Sequence, residues 1–290
     1  MKNDKSKIFI LTAAALIIAL GFAVVRVIFV VNYYNTEEGL YSANAPGVTA
    51  ARIMFAVCLL VFGVLPFILL KKREYKRLPE SNHGVVFTGA LCGFMFISSS
   101  ILVSYYFIIK EMLGSSVTGF FKAAKVNDMI LFVSLVLAVI FGLLSSLYFF
   151  WSAAATMKMK KLNNRIFSMM PVLFCIFYLI YTYFRKDSVI NSQERMILQL
   201  SVITVMLYFL SEARFHFGIA RYRLYISASL ISVCSIIVAC IPNFMLSAFW
   251  RMGFSSDTVF SVLQVAVAAY IISRLICVVS YPEKTETAEA

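Results

Sequence analysis

The chain has 290 residues, 61% of them hydrophobic and only 14% charged, far more apolar surface than a soluble domain can hide. Its formal charge of +12 would suit nucleic acid. However, Lys and Arg fall in short clusters between long apolar runs, so nucleic acid is excluded as a partner and the lipid bilayer is expected instead.

A hydrocarbon core of roughly 30 Å takes about 20 apolar residues as helix. Eight runs qualify, at 8–31, 50–70, 85–109, 129–151, 166–184, 196–213, 224–249 and 259–279. Each must be helical, because backbone groups left unpaired in lipid cost several kcal/mol apiece. None alternates in the manner of a barrel strand. The expected fold class is therefore all-α: a polytopic transmembrane helix bundle, forming a single integral membrane domain. The first run is longer than the core of a cleavable signal and continues past Arg26, so it reads as a retained helix. The sixth is the least secure, being short and carrying Gln199, Ser201, Thr204 and Glu212.

The connections carry the orientation signal. Sixteen of the 26 Lys and Arg lie on the side of the N-terminus, among them Lys71, Lys72, Arg73, Lys76 and Arg77. Eight lie on the other side, and Arg26 and Arg274 fall within spans. The positive-inside bias predicts both termini in the cytoplasm. The longest outer connections are 32–49 and 110–128. The second contains Phe120-Phe121-Lys122-Ala123-Ala124-Lys125, a composition suited to a segment lying at the interface.

Several chemistries have nothing to be built from. All six Cys sit inside apolar runs, where thiols behave as small hydrophobes, so no disulfide framework is expected. The two His, His83 and His216, have no Cys or acid pair at ligand spacing, so no metal site and no cofactor is expected. There is no Gly-x-Ser-x-Gly elbow, His-Glu-x-x-His helix or phosphate loop. An enzyme is accordingly disfavoured.

Ionisable and polar residues at membrane depth are the remaining candidates for ligand binding or structural pairing. Arg274 and Glu212 both lie near the inner ends of their helices, at similar depth on a 1.5 Å rise. A Glu212–Arg274 pair with Arg214 nearby is one account. Arg274 snorkelling to headgroups while Glu212 meets Arg214 is the other. Arg26, near the outer end of the first helix, is expected to snorkel outward or to meet Glu37, Glu38 or an acid on a neighbouring helix. Asp128, Glu194 and Asp257 open helices four, six and eight, where capping explains them without a ligand. In helix seven, Ser227, Ser229, Ser232 and Ser235 precede Pro242-Asn243. The proline frees a carbonyl and Asn243 adds a donor and an acceptor, so this step is the first choice for a cavity wall. Hydroxyl-rich faces such as these also serve close helix packing.

Helices four, six and eight share a short echo near their inner ends: Tyr148-Phe-Phe-Trp-Ser152, Tyr208-Phe-Leu-Ser211 and Tyr270-Ile-Ile-Ser273. Coincidence is the simpler account, because the matches are short and use common membrane residues.

The stretches Tyr33-Tyr34-Asn35-Thr36-Glu37-Glu38-Gly39-Leu40-Tyr41 and Ser211-Glu212-Ala213-Arg214-Phe215 resemble multi-span membrane proteins of Gram-positive anaerobic bacteria. The resemblance covers about a dozen residues. It implies a bacterial plasma-membrane location and assigns no activity or site.

Two function classes follow. A carrier or permease for a small solute or ion predicts a polar cavity near the midplane, bounded by helices three, seven and eight. A non-enzymatic subunit, sensor or scaffold acting through a membrane protein partner predicts a dry bundle, with 32–49 or 71–77 as the contact surface. The carrier is narrowly favoured.

Overall fold

The computed structural model describes residues 2–35, 40–41, 47–70, 82–113, 125–157, 166–185, 193–219, 221–249 and 256–280. The chain is a polytopic membrane protein whose described residues form eight helices long and apolar enough to cross a bilayer. These are α1 (Lys2–Tyr33), α2 (Val48–Leu69), α3 (His83–Val103), α4 (Val126–Met157), α5 (Met170–Phe184), α6 (Gln193–His216), α7 (Tyr222–Phe249) and α8 (Ser256–Ser280). A π-helical stretch, Ser104–Leu113, prolongs α3 into the start of the connection expected at 110–128. A single 3-10 turn, Ile166–Met169, leads into α5. Tyr34–Asn35 and Leu40–Tyr41 add a two-residue antiparallel ladder after α1. The sixth span, doubtful from its composition, is a full 24-residue helix.

Packing explains that helix. Its hydroxyls close on nearby carbonyls, as Ser201 and Thr204 do on Leu198 and Ser201, so the polar residues cost little once buried. The end of α6 is set by Gly218, at φ 75°. The Gly218 N–H donates to the carbonyl of Phe215 and the Ile219 N–H to that of Arg214. This is the paired closure that glycine permits at a helix C-terminus.

Helices α3 to α8 follow one another round a ring, and α8 returns against α3. α1 and α2 lie outside it, both against α7. α7 is consequently the most enclosed helix, with 83% of an 18-residue stretch of it buried against 22% for such a stretch of α2. The outward rows of α1 and α2, including Ile17, Ile53, Leu60 and Ile68, are exposed and apolar, as a lipid-facing surface requires. Where α3 meets α4 the backbones approach closely. A Cβ on Gly142 would stand 2.7 Å from the Ser100 hydroxyl oxygen, the small-residue packing common between membrane helices.

Among the described residues, aromatic side chains close the middle of the ring. Phe96, Phe149, Phe174, Phe209 and Tyr270 fill its middle, with Phe149 edge-on to Tyr270 and Phe209 and stacked on Phe96. Eight crossings leave the start of α1 and the end of α8 on one face of the bundle. That face is the terminal side below, the other the far side.

Candidate functional site: a buried carboxylate–guanidinium cluster

On the terminal side, α4, α6 and α8 run in the same direction and α7 begins. Four tyrosines from these helices therefore reach one depth: Tyr148, Tyr208, Tyr225 and Tyr270, all buried. At their centre is Glu212, 1% exposed, with Arg274, 5% exposed. Arg274 Nε stands 3.5 Å from Glu212 Oε1. The Tyr270 hydroxyl links them, donating to Glu212 Oε1 at 2.7 Å and accepting from Arg274 Nε at 3.0 Å. Tyr208 and Tyr225 hydroxyls meet at 3.3 Å. Tyr148 reaches the ring of His216, half-buried at the end of α6, at 3.3 Å. Glu212 Oε2 is buried and has no hydrogen-bond partner among the described residues.

The two accounts of these charges are thus separated by geometry. Arg274 turns into the bundle towards Glu212 rather than out to the headgroups. Arg214, two residues past Glu212 on α6, is half-buried. The echo among helices four, six and eight also has a physical content, since its three tyrosines surround the same pair. No rule of spacing within one helix could reveal this. The signal was equal depth on three co-directional helices, and Tyr225 had no counterpart in the echo.

Arg26 is organised differently. It is 6% exposed and does not point outward. Its guanidinium donates to the carbonyl of Val238, to that of Ala239 at 2.8 Å, and to Asn243 Oδ1 at 3.0 Å. Val238 is four residues before Pro242, so its carbonyl is the one that the missing proline N–H leaves open. Arg26 supplies the donor that Pro242 cannot. Arg26 and the Pro242-Asn243 step, singled out separately, are therefore one structural unit. Glu37 and Glu38, its expected partners, lie outside the described residues.

The described serines of α7 bond across to neighbouring helices. Ser227 donates to the Gly63 carbonyl at 2.6 Å, Ser232 to that of Thr204 at 2.6 Å, and Ser235 bonds Thr204. These hydroxyls join α7 to α2 and α6 and are used up in packing. Among the described residues, a space lies between α3, α5, α6 and α8. It is a void just large enough for about one water molecule, lined mainly by aromatic and aliphatic side chains. Tyr178 and Gln264 are its polar-bearing walls. The Tyr178 hydroxyl is buried without a hydrogen-bond partner among the described residues. Gln264 Oε1 accepts from Ser201 at 2.8 Å and from Cys240 at 3.1 Å.

The far side of the ring carries a second charged group. Arg185, just past α5, forms an ion pair with Asp257 and donates to Ser256 at 3.1 Å, and Ser256 also meets Tyr181 at 2.8 Å. Arg195 closes the end of α5, donating to the carbonyls of Thr182, Tyr183 and Arg185. In the sequence both arginines counted only as loop charges. Asp128 accepts from the Lys125 N–H at 3.2 Å, a local helix-start bond. The side chain of Glu194 lies outside the described residues.

Among the described residues, no group of three or more His, Cys, Asp or Glu could hold a metal ion. Comparison with protein-family models, curated proteins and solved structures finds no match, so the functional argument rests on this chain's own residues.

Proposed function

We propose that the chain is a carrier for a small solute or ion, described with its pathway shut. One observation carries this reading: the axis of the ring has charged clusters at both ends, Glu212–Arg274 and Arg185–Asp257, separated by an aromatic plug. Charges inside a bilayer are costly and commonly mark solute, ion or proton routes. The void beside Gln264 and Tyr178 lies between the two clusters, where a route would have to open.

The second reading is a subunit or sensor that acts through another membrane protein. It is favoured by the closed, tied-off seams of α7 and by the outward apolar row of α2, which would seat a partner helix as readily as lipid. Of the two connections first considered as contact surfaces, 71–77 and half of 32–49 lie outside the described residues.

Thiol accessibility discriminates between them. Cys175 lines the void and Cys240 bonds Gln264. Each is kept as the sole cysteine and challenged in native membranes with an impermeant maleimide from either side. The carrier exposes both thiols to water as it cycles, so slow labelling is expected. Complete protection of both from both sides sinks the carrier and favours the partner subunit.

A further inference from the structure

We propose that the void beside Tyr178 and Gln264 is a binding site for one neutral, water-sized molecule that both donates and accepts hydrogen bonds, namely water or ammonia. As a statement about what the carrier takes up, this rests on the reading above.

The site begins with an unmet hydroxyl. Tyr178 on α5 is 1% exposed and lines the void. Its hydroxyl is buried with no hydrogen-bond partner among the described residues. The ring is held against Phe260 of α8, with centroids 4.0 Å apart, and stacks on Phe174. This packing keeps the hydroxyl from swinging away to find water elsewhere. A phenol can give one hydrogen bond and take another, and a buried polar group that makes neither calls for a partner.

Gln264 of α8 supplies the second contact. Its Oε1 accepts from Ser201 of α6 at 2.8 Å and from Cys240 of α7 at 3.1 Å. These bonds fix the amide from two neighbouring helices and make its N–H2 the end that a ligand meets. An occupant therefore accepts from Gln264 and exchanges a hydrogen bond with Tyr178.

Size and charge narrow the class. The void has room for about one water molecule, and Phe96, Phe174, Phe209 and Phe260 close it. A sugar or an amino acid does not fit. Every side chain lining it is uncharged. The charges that act on Cys240, Arg26 and Asp257, are already engaged. Arg26 bonds the backbone of α7 and Asn243, and Asp257 pairs with Arg185. An ion would arrive with no opposite charge in contact, which a low-dielectric site resists. An apolar gas would leave the Tyr178 hydroxyl unmet. A neutral molecule with both a lone pair and an N–H or O–H satisfies each wall at once.

The site is read by magic-angle-spinning NMR of the whole protein in lipid, with glutamine labelled at its side-chain nitrogen. The chain has three glutamines, Gln193, Gln199 and Gln264. Gln193→Asn and Gln199→Asn therefore assign the Gln264 signal even if Gln264→Leu does not fold. The expected result is a cross-peak from the Gln264 N–H2 to a bound water. Tyr178→Phe, which removes only the hydroxyl, should lower occupancy roughly fivefold, the usual value of one hydrogen bond. Val202→Leu, which puts a methylene into the void from α6, should remove the cross-peak. No cross-peak, or one unchanged in both variants, overturns the site. Proteoliposomes then separate the two molecules, with protein-free liposomes as baseline. Faster osmotic shrinkage assigns water, and faster internal alkalinisation on adding ammonium chloride assigns ammonia. Whichever flux is found should fall in both variants. A potassium or chloride flux that falls in them instead would overturn the neutral class. A bound water with neither flux would remove the carrier and keep the site. A dry void with a flux indifferent to both variants would do the reverse.

Discussion

Arg26 and Arg274 are both buried at membrane depth, yet they are held in different chemical company. Arg26 donates to the backbone of α7, at the carbonyls of Val238 and Ala239 beside Pro242, and to the Asn243 side chain. Arg274 faces a carboxylate and shares a tyrosine hydroxyl with it. A guanidinium on main-chain carbonyls completes a helix, and its partners cannot change without unwinding it. A guanidinium beside a carboxylate has a partner that a proton can neutralise. Sequence position alone makes the two look alike. Only the identity of the acceptors separates a brace from an ion pair.

The contrast is broken most forcefully at Arg274. Replacing it with Leu leaves Glu212 as a lone buried carboxylate, which typically destabilises by about 3–5 kcal/mol. Thermal unfolding in detergent should show this loss. The double variant Arg274→Leu, Glu212→Leu should regain most of it, because no charge is then left behind. If the single variant matches the parent, the pair contributes nothing and the contrast collapses.

Arg26 calls for a different rescue. Arg26→Leu strips a donor from two buried carbonyls and should cost about 1–3 kcal/mol. Pro242→Ala supplies a backbone N–H for the Val238 carbonyl, so in the Arg26→Leu background it should recover part of the loss. In the parent the same change competes with Arg26 and should gain little. The expected signature is strong non-additivity in a double-mutant cycle, measured by thermal unfolding. Additive effects would mean that Arg26 and Pro242 act independently, whatever their geometry.

How far the sequence disclosed this follows from what sets each feature. The eight helices were legible because length and apolarity alone decide whether a segment can cross a bilayer. Arg26, Glu212, Pro242, Asn243 and Arg274 stood out because polar groups are rare and costly there. The Glu212–Arg274 pairing was one of two accounts the sequence left open, and the other partners were hidden. The acceptors for Arg26 are backbone carbonyls on α7, which carry no residue-type signal beyond the Pro242 that frees one of them. The tyrosines around Glu212 come from four helices and share only depth. Gln264 is a lone amide within α8, and nothing in the sequence sets it above the Pro-Asn step. The position of the void was illegible for a further reason. The serines of α7 are equally suited to lining water and to tying helices together, and only the neighbours' carbonyls decide between these uses.

The smallest expected effect sharpens the comparison from the side of the helix that carries Glu212. Gly218 closes α6 two residues after His216, at φ 75°, where a Cβ is disfavoured whatever space surrounds it. Gly218→Ala should cost about 1 kcal/mol, the usual penalty for a side chain in the left-handed region. A Cβ there would meet nothing within 4 Å, so the strain is confined to the backbone turn. If Glu212 is fixed by its own bonds to Tyr270 and Arg274, the substitution lowers thermal stability slightly and leaves the Glu212 carboxyl band, read by isotope-edited infrared spectroscopy, untouched. If the band moves as much as it does in Tyr270→Phe, which removes a hydroxyl bonded to Glu212, the cluster is set by where α6 stops. Arg274 would then resemble Arg26 after all, as a guanidinium whose environment is fixed by the backbone.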